Sequence, residues 1–149
     1  MKTMQPTLAV LVVAALVAPG SAHALTKAQV EGYLAAANQG CFLGADPGTT
    51  GRIAGADRDV TVVRYGTEGC FGGNNHAAPI AVLFDAGGGR IGSYPVAVTM
   101  GDVDRYEIDA SGRLVVRTVE HGPTDPRCCP SRKRTYTLAI RNGKLAPAQ

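Results

Sequence analysis

From Leu25 onward, Val30, Tyr33, Leu34 and Ala37 recur at the spacing of one helical face. Thr26, with Gln29 three residues later, forms a capping box. Leu25 is placed to staple onto Val30, and Gly40 to end the helix. This pattern predicts a short amphipathic helix that delivers Cys41 at its exit. Residues 44–58, with Asp46-Pro-Gly48 and several more glycines, carry no hydrophobic period and read as a loop.

The period then changes to that of strands. Val60 to Tyr65 is rich in β-branched residues, 66–78 is a long turn-forming connection, and Ile80 to Phe84 is a second strand buried on one or both faces. Gly87-Gly-Gly89 closes a hairpin into 91–100, where Tyr94, Val96, Val98 and Met100 alternate with smaller residues, and Pro95 suggests an edge or bulge. Tyr106 and Ile108 share a face. Ala110-Ser-Gly112 supplies a turn. Leu114, Val116 and Thr118 line one side of a strand over 114–120, and Tyr136, Leu138 and Ile140 line one over 135–140. Asn142-Gly143 is a type I′ turn signal. One helix followed by about six strands in hairpin succession predicts an α+β domain over 25–149: a helix packed on a single antiparallel sheet, stapled by disulfides.

The residues before this pattern read differently. Lys2, an unbroken apolar run from Leu8 to Ala18, the breaker Pro19-Gly20 and Ala22-His-Ala24 form a secretory signal peptide over 1–24, cleaved after Ala24. The run is too short to span a bilayer, so a soluble periplasmic or secreted protein is expected, with no membrane span after cleavage. Lys and Arg number 15 against 12 Asp and Glu, and loss of Lys2 with the leader leaves 14. That near balance argues against nucleic-acid binding, which needs a dense basic face. Tryptophan is absent, so a stacking platform is poorly supplied.

All four cysteines, Cys41, Cys70, Cys128 and Cys129, follow the leader, and in an oxidising compartment they read as two disulfides with three connectivities open. Joining Cys128 to Cys129 closes a small strained ring. Joining Cys41 and Cys70 each to one member of the doublet clamps three distant segments. The clamp is the expected arrangement, with either assignment of partners, and each long loop it closes contributes about 3–4 kcal/mol in the chain-entropy model.

Gly101-Asp102, a strand pair, His121-Gly-Pro-Thr-Asp-Pro-Arg-Cys-Cys-Pro-Ser131 and a Thr-Tyr-Thr-Leu strand together resemble a group of exported bacterial proteins of uncharacterised function. In that group a Gly-Pro-x-Asp-Pro-x-Cys-Cys-Pro segment lies between two late strands. Around Ala78 to Phe84 and in the closing strand the chain is also similar to LppP/LprE-like lipoproteins, from which it departs in lacking a lipidated cysteine. The resemblance implies an envelope or secreted protein and brings no catalytic residues.

Few residues carry chemistry. Ser93, Ser111 and Ser131 lack a Gly-x-Ser-x-Gly elbow, the glycine clusters lack phosphate-loop context, and Asp102, Asp104, Glu107 and Asp109 mostly alternate as a solvated face does. No catalytic residue, cofactor or enzymatic activity is expected. The reading that results is a non-catalytic protein that binds a protein or cell-envelope component. Its contacts come from the loops around Cys70 and the doublet, with His121, Asp125, Arg127 and Arg132 as candidate binding-loop residues. One version is inhibition of an exported hydrolase by an inserted rigid loop, because a disulfide-fixed loop loses little entropy on binding. The alternative is a periplasmic thiol-redox or metal-binding protein using Cys128-Cys129, with His76 and His121 as weak metal candidates beside Asp125 or Glu68.

Overall fold

A computed structural model describes residues 24–70 and 75–149. The leader assigned to 1–24 lies outside the described residues except for Ala24, as does the Gly72-Gly73 pair.

Helix α1 spans Lys27–Ala37 and starts at the capping box: the Gln29 amide donates to Thr26 Oγ1, and the Thr26 amide donates to Gln29 Oε1. It ends at Asn38, whose backbone and side-chain nitrogens both donate to the Leu34 carbonyl, two residues before Gly40. Among the described residues ten strands follow: β1 (Phe42–Ala45), β2 (Thr49–Gly51), β3 (Val60–Glu68), β4 (His76–Ala77), β5 (Ile80–Gly87), β6 (Arg90–Tyr94), β7 (Asp102–Ile108), β8 (Leu114–Glu120), β9 (Arg132–Arg141) and β10 (Lys144–Pro147).

They form two antiparallel sheets, not one. The first runs β1-β3-β5-β6, with β2 continuing the β1 side of β3 and β4 continuing the β5 side; the second runs β10-β9-β8-β7. The expected α+β arrangement, a helix packed on a single sheet, is therefore corrected to a mostly β fold of sheet upon sheet. The physical reason is where the apolar area goes. Val60, Val62, Ile80 and Val82 of the first sheet share one buried cluster with Leu114, Val116, Leu138, Ile140 and Leu145 of the second. The helix buries only Val30 and Leu34, against Val63 and Leu83 on the outer face of the first sheet. Residues 60–63 are all buried, because β3 is covered on both faces.

Backbone bonds join the sheets at several points. Val96 bridges Leu145 in parallel, the Ala97 amide donates to the Leu145 carbonyl, and the Leu145 amide donates to the Pro95 carbonyl. The strand expected over 91–100 thus stops at Pro95, while Val98 and Met100 pack on the core from irregular chain. On the other side the Arg64 guanidinium donates to the Val103 and Asp104 carbonyls and is paired with Asp46. Ile53, fully buried, fills one end between the sheets. Asn142 and Gly143 both take positive φ in the β9–β10 turn, as a type I′ turn requires.

The cysteine clamp is also corrected. Cys41 is joined to Cys70, and Cys128 to its neighbour Cys129. Register explains the first pair. Phe42 lies opposite Thr67, and the Glu68 amide donates to the Cys41 carbonyl, so the residue entering β1 meets the chain leaving β3, with Cα atoms 5.2 Å apart. The doublet sits on the other sheet, in the β8–β9 loop, and finds its partner within itself.

Candidate groove and β8–β9 loop

Strands β8 and β9 pair as far as Glu120 opposite Arg132, which makes 121–131 a hairpin loop. Asp125 ties its two ends. Its carboxylate accepts from the Gly122 amide, the Ser131 amide and the Ser131 hydroxyl, each at 2.7 Å. These donors, with the Gly122 amide the largest cause, hold the Asp125 carboxyl below its ordinary value of 3.8. Pro123, Pro126 and Pro130 further restrict the backbone. Cys128 and Cys129 are both exposed, and the Cys129 amide donates to the Pro126 carbonyl at 3.0 Å.

Four hollows adjoin through shared lining residues. The first, about 410 Å³, is lined by Thr99, Met100, Gly101, Glu120, His121 and Tyr136 among others. A second of about 410 Å³ shares Thr99 to Gly101 with it and is largely apolar, with Tyr65, Pro79, Ile80, Val96 and Val98. Tyr65 and Pro79 pass on into a third, about 540 Å³, bordered by Cys41 and Cys70. At the opposite end His121 continues into a fourth, about 470 Å³, lined with Asn75, Asp125 and Arg127. The result is one groove, apolar from the Cys41–Cys70 disulfide through its middle and polar where it reaches the doublet's loop.

Of the four predicted binding-loop residues, His121, Asp125 and Arg127 meet at the same hollow. Arg132 stands on β9 opposite Glu120 and lines none of the four. His76 and His121 do line one hollow together, but His76 Nε2 is engaged with Glu68 at 3.3 Å. No group of three or more His, Cys, Asp or Glu is placed to hold a metal among the described residues.

Sequence reasoning missed the polar cluster between the groove's apolar middle and the loop. Glu120 accepts from the Tyr136 hydroxyl at 2.5 Å and from the Thr118 hydroxyl, with the Arg134 guanidinium 3.5 Å away. The Tyr136 hydroxyl is the main cause that lowers the Glu120 pKa. Asp102, expected as part of a solvated face, accepts from the Ala78 amide and ties β7 to the break between β4 and β5. Apart from the Thr118 hydroxyl, two residues away on the same strand, no local signal marks these contacts, since they join segments distant in the chain.

No helix among the described residues is long and apolar enough to cross a membrane. No family model matches the chain, and comparisons with curated proteins and with solved structures likewise found no match.

Proposed function

We propose that this chain is an exported, disulfide-stabilised binding protein with no catalytic role of its own, and that it holds a protein or cell-envelope partner along the groove and the β8–β9 loop. The observation that supports this reading is the continuity of the groove with the loop. An apolar middle around Met100, Val96 and Tyr65, bordered at the loop end by the polar groups of His121, Asp125 and Arg127, has the make-up of an interface core with a polar edge. A loop tied by Asp125 and stiffened by three prolines loses little entropy on docking. The same stiffness suits insertion of the loop into the cleft of an exported hydrolase, the narrower version of this reading.

The test compares full-length protein with Met100→Arg, which puts a charge into the apolar middle, and Asp125→Ala, which unties the exposed loop. Each is immobilised and exposed to envelope extract, and circular dichroism checks the fold. The reading expects a partner held by the wild-type protein and weakened about tenfold or more by each substitution. Retention unchanged by both variants contradicts it.

A further inference from the structure

The two disulfides differ in what they do for the fold. Cys41–Cys70 closes a loop across a sequence separation of 29, joining the exit of α1 to the end of β3, and both its residues are half-buried. Cross-linking such a loop removes chain entropy from the unfolded state, so folding itself opposes its reduction. Cys128–Cys129 has a sequence separation of 1. Neighbouring residues are already adjacent in the unfolded chain, so their bond removes almost no loop entropy and folding does little to protect it. The β8–β9 loop does not need the bond to keep its ends together, because Asp125 and the backbone pairing of β8 with β9 do that. Both sulfurs belong to exposed residues near the loop tip, open to an approaching thiolate.

We propose that Cys128–Cys129 is an exchangeable disulfide that oxidises an external dithiol, while Cys41–Cys70 remains a structural staple. One thiolate of the dithiol attacks one sulfur of the doublet, forming a mixed disulfide and releasing the neighbouring cysteine as a thiolate. The second thiol of the same molecule, as thiolate, attacks the sulfur of its own mixed disulfide and releases the other cysteine. The dithiol leaves as a disulfide, oxidised by two electrons. Cys128 and Cys129 are reduced by the same two electrons and take up the two protons the dithiol has lost. This activity does not rest on the groove holding a partner.

The test uses the full, oxidised chain and dithiothreitol as the dithiol, with acid quenching, alkylation of free thiols and peptide mapping at each concentration. Cys128 and Cys129 are expected to label at a dithiothreitol concentration about tenfold or more below that which labels Cys41 and Cys70. Circular dichroism should stay unchanged across that interval. Cys128→Ser is expected to leave Cys129 able to take one glutathione from oxidised glutathione, with Cys41–Cys70 intact. The proposal is overturned if both pairs label together as the fold is lost, if Cys41–Cys70 opens first, or if either doublet cysteine is found joined to Cys41 or Cys70.

Discussion

At Gly55 the backbone takes a φ of +83°, and a β-carbon there would collide with the carbonyl of Ile140, whose own amide donates to the Ala54 carbonyl. Gly88 has a similar φ of +62° but open space around it. Gly88→Ala should therefore cost about 1 kcal/mol, the backbone term alone, and Gly55→Ala about 2–4 kcal/mol in urea unfolding, since the loop over Ile53 must also move. Equal losses at the two sites would contradict this account of the loop. Asp125 makes a prediction of a different kind. Its folded pKa lies below its ordinary value, so its ties to Gly122 and Ser131 are fully present above about 3.8 and are lost as pH falls through the lowered folded value. The amide proton shifts of Gly122 and Ser131 should titrate together with a midpoint under 3.8, and a midpoint at or above 3.8 would remove Asp125 as the tie.

Among the elements, the share of the core each one buries predicts what its loss costs. Leu34 belongs to the small cluster under α1, whereas Leu138 lies in the large cluster between the sheets. Truncation to alanine should cost about 2–3 kcal/mol at Leu34 and about 4 kcal/mol or more at Leu138 by chemical denaturation. The reverse ranking would restore the helix as the main packing partner. The helix start was legible because a capping box is local, and β3, β5, β8 and β9 were legible because apolar alternation is local too. Strands β1, β2, β4 and β10 were not, because they are short or glycine-rich and exist through backbone pairing with β3 or β9. Alternation also states that a face is buried without stating what buries it, which is why one sheet with a helix was expected where two sheets face each other.

For the molecule as a whole, the candidate site combines what one segment shows with what only register assembles. His121, Asp125 and Arg127 were legible as a proline-bracketed run, and they meet at one end of the groove. Tyr65, Met100, Glu120 and Tyr136 come from four separate stretches of chain and reach the groove only once both sheets are in place. The cysteine pairing failed for a related reason: it follows from Phe42 lying opposite Thr67, a register that spacing along the chain does not contain. The central claim is that this groove and its loop together form one binding surface. It is tested most directly by placing a photo-cross-linking residue at Met100, at Arg127 or, as a control, at the exposed Arg141 of β9, which lines none of the four hollows. After irradiation in the native compartment, Met100 and Arg127 should yield an adduct with the same partner, and Arg141 should not. Adducts of equal yield from all three positions, or none from Met100 and Arg127, would contradict the account.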